Sequence, residues 1–155
     1  MLWPAALALL AVAPAGAAAA SQATPIPSGA RAELLGEARR VGARDGDPRP
    51  FDIEVVLTSF SLGAQATGDG GTKVMSAGTP VYLLAMRGHF TCNSCSHPRG
   101  AKIGPGTVIW LLRPVQRGPA VGFGFGTVYP DLDAAGSPIR LDRPAAHHRR
   151  AEPAL

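Results

Sequence analysis

The sequence carries no charged side chain before Arg31 and has only two cysteines among its 155 residues. The length allows one domain of ordinary size and excludes a large multidomain enzyme. Glycine and proline together number 34, about 22% of the chain, which exceeds their usual share but stays below that of disordered proteins. With 46% hydrophobic residues, this composition excludes a fibrous repeat, a coiled coil and a disordered tail, and favours a small, loop-rich globular domain.

The uncharged N-terminus is strongly apolar, since 17 of the first 20 residues are hydrophobic types. Small residues then follow, which predicts a signal peptide over 1–20 with cleavage between 17 and 23. The first four residues lack the Lys or Arg that opens most leaders, which an upstream start codon or an atypical leader would explain. An N-terminal membrane anchor is the alternative. Pro4, Pro14 and the many alanines weaken a permanent spanning helix. We therefore expect a secreted or extracytoplasmic protein.

The rest of the chain divides by composition into a linker over 21–29, a single domain over 30–141 and a flexible basic tail over 142–155. All charged residues, with a formal net charge of +4, lie outside the predicted leader. Long-range attraction biases such a domain toward anionic surfaces. The sequence does not identify the partner, which could be an anionic cell-envelope surface or another protein.

Hydrophobic periodicity predicts one helix followed by four strands. Apolar residues recur at helical spacing over 30–41, and strand patterns occupy 51–62, 79–90, 107–113 and 120–128. Because no helix intervenes between the strands, an antiparallel meander is the economical topology. The predicted class is α+β, with one N-terminal helix packed on a four-stranded antiparallel meander in the order α-β-β-β-β. This architecture is cystatin-like or peptidase-propeptide-like by analogy only.

The segment 121–128, Val-Gly-Phe-Gly-Phe-Gly-Thr-Val, imitates two recognition motifs without satisfying either. Its glycines are spaced by two and no helix follows, so it is not a dinucleotide-binding fingerprint. It lacks the basic and final aromatic residues of an RNA-recognition strand. We interpret it as a core strand in which Phe123 and Phe125 share one face. The glycine face is then left bare for close approach of backbone or helix. No cofactor and no nucleic-acid partner is predicted.

Four candidate ligand residues fall within nine positions, as His89-x-x-Cys92-x-x-Cys95-x-His97. Structural zinc sites use such ligands, but no second half-site occurs elsewhere in the chain. In an oxidising, exported setting two cysteines favour a disulfide, here Cys92–Cys95. The alternative is a metal-binding or thiol-redox protein that uses His89, Cys92, Cys95 and His97. Free thiols are the remaining possibility.

No nucleophile motif or catalytic constellation is recognised, so an enzyme is not predicted. Arg87 and His89 lie near the end of the second predicted strand, where polar residues leave the sheet. Together with the loop 92–105 they form the candidate binding surface. Glu54 and Arg87 are also placed to form an ion pair across neighbouring strands. We expect a small exported domain that acts by binding or interaction at the cell envelope. A purely structural envelope protein is a further possibility.

Three segments resemble small uncharacterised exported bacterial proteins: 80–90, which contains V-Y-x-x-x-M-x-G-x-F, 105–111 and 127–132. The resemblance covers about residues 75–135 and implies export and an α+β domain. It brings no established activity, so no functional residue is carried over. The chain departs from the pattern at 113–118, Arg-Pro-Val-Gln-Arg-Gly, where an Asp-x-x-Thr-Gly turn is expected.

Overall fold

Five strands form one open antiparallel sheet in the order β4-β3-β2-β1-β5. The structure is a computed structural model that describes residues 25–68, 74–93, 104–116 and 118–143. Within these ranges the chain forms three helices and five strands. The elements are α1 (Ser28–Arg44), β1 (Phe51–Ser59), α2 (Phe60–Thr67), β2 (Pro80–Phe90), β3 (Gly106–Pro114), β4 (Gly122–Gly126), α3 (Leu132–Ala135) and β5 (Ile139–Arg140).

The predicted α+β class and the antiparallel sheet are confirmed, whereas the counts of one helix and four strands are wrong. The strand predicted over 51–62 ends at Ser59, because the Ser59 hydroxyl accepts the Leu62 amide proton at 3.4 Å and caps α2. The short elements α3 and β5 have two to four residues each, too few to show a period. Strand β5 pairs with β1 and forms the edge of the sheet opposite β4.

Helix α1 covers one face of the sheet, as its apolar stripe predicts. Leu34 and Ala38 are buried between the helix and the sheet. The helix starts at Ser28, within the predicted linker, and Ile26 just before it is only 3% exposed. The strand residues of this core are Ile53, Val55, Tyr82, Leu84, Met86, Phe90, Ile109 and Leu111.

The second face of the sheet is also covered, by α2 and α3. Phe60 of α2 and Leu132 of α3 pack on this side. Strand β2 is central and buries alternate residues in both cores, which explains why residues 81–86 are apolar without interruption. The sheet residues of this second core are Val56, Val81, Leu83, Ala85 and Leu112.

Strand β4 is a sheet strand packed on the core, as predicted, but its glycine face is covered in an unexpected way. Phe123 and Phe125 pack against the core beneath α1. Gly124 pairs with Trp110 of β3, and the indole ring occupies the space where a Cβ at Gly124 would stand. A side chain from the neighbouring strand, and not a helix or backbone, therefore fills this face.

None of the helices over the described ranges has both the length and the apolar composition required to cross a membrane.

Candidate functional site

A polar cleft of about 330 Å³ opens where the start of β1, the end of β2 and the segment from Tyr129 to β5 meet. Its wall is formed by charged and hydrogen-bonding side chains, in contrast to the apolar cores on both faces. The five residues that form its network are Asp52, Glu54, Arg87, Tyr129 and Arg140.

A bulge in β1 brings Asp52 into this network. The pairing register between β1 and β2 shifts between Phe51 and Glu54, and Asp52 has φ 48°, in the left-handed region. Such a backbone is strained for residues other than glycine, although aspartate tolerates it better than most. The Asp52 carboxylate in return lies near two guanidinium groups, at 2.9 Å from Arg140 Nη2 and 3.8 Å from Arg87 Nε. Local strain at such a position is typical of functional sites.

Arg140 is the most fully paired cation of the cleft. The short strand β5 places it directly opposite Glu54 of β1. Besides Asp52, its guanidinium reaches Glu54 Oε1 at 3.5 Å and Asp142 Oδ1 at 4.0 Å. Arg140 therefore holds the carboxylates of β1 in place and has little capacity left for a ligand.

Tyr129 forms the floor of the network. Its hydroxyl lies 3.0 Å from Glu54 Oε2 and 3.2 Å from the Asp52 carbonyl oxygen, and its single proton is shared between these two acceptors. Burial raises the pKa of Tyr129 well above its usual value near 10, and the neighbouring charge of Glu54 acts in the same direction. The phenol therefore stays protonated and remains a donor over the whole physiological range.

Among the described arginines of the cleft, Arg87 is the one that is open to a ligand. Its guanidinium carbon lies 4.4 Å from the centre of the Tyr129 ring, a cation–π arrangement. The side chain is 43% exposed, and its ion pair with Asp52 is longer than a hydrogen bond. Among the residues that the structure describes, none accepts a hydrogen bond from this guanidinium.

The structure separates the two residues predicted as a binding surface. Arg87 lies in the cleft, whereas the His89 side chain is 90% exposed and lies at the end of α1, with Nδ1 3.9 Å from Asp47 Oδ2. The predicted Glu54–Arg87 ion pair is wrong. Arg87 pairs with Asp52, because the unpredicted strand β5 supplies Glu54 with Arg140 instead.

Sequence reasoning missed Asp52, Tyr129 and Arg140 as members of one site. The alternation of β1 did place Asp52 and Glu54 on one polar face. Tyr129 and Arg140 follow the last predicted strand, where no periodic pattern indicated that the chain returns to β1. The pairing of β5 with β1 brings Arg140 there, and the hydroxyl of Tyr129 contacts Asp52 and Glu54 of β1 directly.

The cysteine–histidine segment lies only partly within the described ranges. Cys92 is buried, at 6% exposure, and has φ 43°. Cys95 and His97 lie outside the described residues, so the Cys92–Cys95 disulfide and the alternative metal site both stay predictions. Over the described part of the chain, no three His, Cys, Asp or Glu side chains are grouped as a metal site would require.

Comparison of the chain with protein-family models, with curated proteins and with solved structures found no match. The resemblance to small exported bacterial proteins therefore stays a prediction. The cleft geometry is the basis on which a function can be argued.

The raised pKa of Tyr129 predicts a specific sensitivity to alkali. A phenol whose pKa is higher in the folded than in the unfolded state holds its proton after the unfolded chain has lost it. The free energy of unfolding therefore falls as pH rises above about 10. Tyr129→Phe removes the ionisable hydroxyl. The free energy of unfolding of the variant, measured in urea, should therefore fall less than that of the wild type between neutral pH and pH 11. Parallel pH profiles of the two proteins would contradict the buried, hydrogen-bonded phenol.

Proposed function

We propose that this protein is an exported binding domain that acts at the cell envelope and holds an anionic group of its ligand on Arg87. The observation that carries the proposal is the orientation, exposure and hydrogen bonding of the Arg87 guanidinium. It is oriented by the Tyr129 ring, partly exposed at a cleft and not hydrogen-bonded to any described residue. A guanidinium presents a planar fork of donors that matches two oxygens of a carboxylate or a phosphate.

The surroundings of Arg87 support a preformed site. The ring of Tyr129 supports the guanidinium from one side, and the hydroxyl of the same residue is held by Glu54 and the Asp52 backbone. Arg140 in turn fixes both carboxylates. A ligand thus meets an oriented cation and does not have to order a flexible side chain, which lowers the entropic cost of binding.

The charges of the cleft favour selectivity over general attraction to anions. Its lining includes two arginines but four carboxylates, because Asp131 and Asp133 of the α3 segment add to Asp52 and Glu54. The acidic rim repels a uniformly anionic surface. The preferred ligand places one anionic group on Arg87 and presents neutral or cationic groups toward Asp131 and Asp133.

Export and the finer fold analogy belong to the same proposal. The apolar segment 1–20 supports secretion, with an N-terminal anchor as the alternative. The analogy to cystatin-like and peptidase-propeptide-like domains rests on a helix packed across an antiparallel sheet, an arrangement that proteins of many functions share. Mass determination of the mature N-terminus tests export, and an intact Met1 in the soluble protein would contradict the cleaved leader.

The binding proposal is tested by Arg87→Gln with Arg39→Gln as the matched control. Both remove one positive charge, but Arg39 is exposed on α1, on the opposite face of the sheet. We expect Arg87→Gln to weaken binding of a small anion about tenfold or more. Arg39→Gln should bind like the wild type.

Titrations followed by NMR would use three probes: acetate, inorganic phosphate, and vesicles of phosphatidylglycerol and phosphatidylcholine. A selective response to acetate indicates a carboxylate ligand, and one to phosphate indicates a phosphate-bearing ligand. A response to the vesicles alone would contradict the selectivity against uniformly anionic surfaces. The proposal fails if none of the probes shifts the signals of Arg87 and Tyr129. The proposal is also overturned if both substitutions weaken binding equally, because the anion would then respond only to the net charge of the protein.

A further inference from the structure

Strand β4 forms one edge of the sheet and has no partner on its outer side among the described residues. Edge strands with free backbone donors and acceptors pair readily with other strands, and proteins commonly block them with charge or proline. Here no charged residue occurs from 118 to 130, and no proline lies within β4. No described residue covers this edge, and it is uncharged in a chain with a net charge of +4.

The sequence of this edge reads nearly the same in both directions. Residues 121–127, Val-Gly-Phe-Gly-Phe-Gly-Thr, are symmetric about Gly124, with Val and Thr of similar shape at the ends. Two antiparallel copies in register about Gly124 would place Phe123 of one opposite Phe125 of the other. Gly122 would then lie opposite Gly126. A two-fold interface requires such a self-complementary surface.

We infer that two copies of this protein associate through β4 and join their sheets into one continuous antiparallel sheet. Charge supports a second copy as the occupant, because two identical basic molecules meet most easily along an uncharged edge. Cross-strand Phe–Phe pairs stabilise antiparallel strands on one face. On the other face the glycines leave room for the two Trp110 rings, each covering Gly124 of its own subunit.

The strength of this association is limited by the length of the strand. All five residues of β4 are already half-buried within one molecule, so pairing covers only the area that remains. Stable complexes typically bury about 1,600 Å² in total. We therefore expect a reversible dimer that dissociates on dilution through the micromolar range.

Gly126→Lys is the variant that tests the edge. A Cβ at Gly126 meets no atom within 4 Å, so the monomer accommodates the side chain, which in the dimer would stand beside Gly122 of the other copy. Gly118→Lys is the control, because it adds the same charge in the β3–β4 turn, where the nearest atom to a Cβ is 3.8 Å away. Thr127→Lys, at an exposed position opposite Val121 of the other copy, is a second variant.

Sedimentation velocity of the secreted protein at increasing concentration measures the outcome. We expect the wild type and Gly118→Lys to shift from monomer to dimer, and the Gly126 and Thr127 variants to stay monomeric. Hydrogen exchange should show concentration-dependent protection of the amides of β4. A wild type that stays monomeric overturns the inference, as does a dimer unaffected by both edge variants. Full protection of β4 in the monomer would also overturn it, since the chain's own residues would then cover the edge. The cleft adjoins β5 at the opposite edge, so its function is tested separately.

Discussion

Gly124→Ala is expected to lower the free energy of unfolding by about 2–3 kcal/mol, although it adds only one methyl group. The indole ring of Trp110 occupies the place of the new methyl, and the ring cannot move inward because β3 is packed on both faces. Either the ring leaves its position over the strand or β4 separates from β3. Urea unfolding followed by circular dichroism measures the loss.

Gly126→Ala is the matched control, because its methyl group enters open space two residues along the same strand. Its effect should remain within about 0.5 kcal/mol. In a Trp110→Val background, Gly124→Ala should lose most of its effect, which gives a coupling of about 1 kcal/mol or more between the two positions. Equal losses for Gly124→Ala and Gly126→Ala would show that the ring does not restrict Gly124.

Hydrophobic pattern predicted those parts of the fold in which one element buries a regular face. The stripe that includes Leu34 and Ala38 predicted α1, and the apolar pattern over 79–90 predicted a strand where β2 lies. Both patterns depend only on period, which the chain carries locally. The antiparallel arrangement was predicted because no helix was recognised between the strands. That premise is wrong at one place, since α2 lies between β1 and β2, but these two strands still pair antiparallel.

The cleft was only partly predictable, because it depends on non-local pairing. Arg87 was selected for its place at a strand end, but its partner Tyr129 lies 42 positions away in sequence. Nothing in the local pattern indicates that the chain returns from β4 to β1, or that Ile139 and Arg140 add a fifth strand. Because β5 pairs with β1, Arg140 lies beside Glu54 and forms an ion pair with it. Glu54 therefore does not pair with Arg87, which stays available for a ligand. A two-residue strand has no period, so pattern reasoning finds such a site only when the pairing is known.

The segment 113–118, where the sequence resemblance led us to expect a turn, begins inside strand β3. Arg113 belongs to β3 and not to a turn, and its side chain is only 13% exposed between Glu33 and Glu37 of α1. Arg113 Nη1 lies 2.8 Å from Glu37 Oε2, and Nη2 pairs with Glu33. The hydrogen bond with Glu33 raises the pKa of Arg113, and both neighbouring carboxylates add to the effect. This cluster fixes α1 across the sheet.

Arg113→Met is therefore expected to lower the free energy of unfolding by about 2–3 kcal/mol at neutral pH. The substitution leaves Glu33 and Glu37 as like charges one helical turn apart, with Glu37 only 17% exposed. The loss should decrease in acid, where protonation removes both charges, and Arg113→Met/Glu37→Gln should recover part of it at neutral pH.

Arg39→Met is the control for the loss of one arginine, because that side chain is exposed on the same helix and should change stability by no more than about 0.5 kcal/mol. Urea unfolding at neutral and acidic pH separates the possible outcomes. A loss for Arg113→Met that is no larger than that of Arg39→Met would show that α1 is held by its apolar stripe alone. A loss that persists in acid would assign the effect to packing of the arginine stem, since the two carboxylates are then neutral.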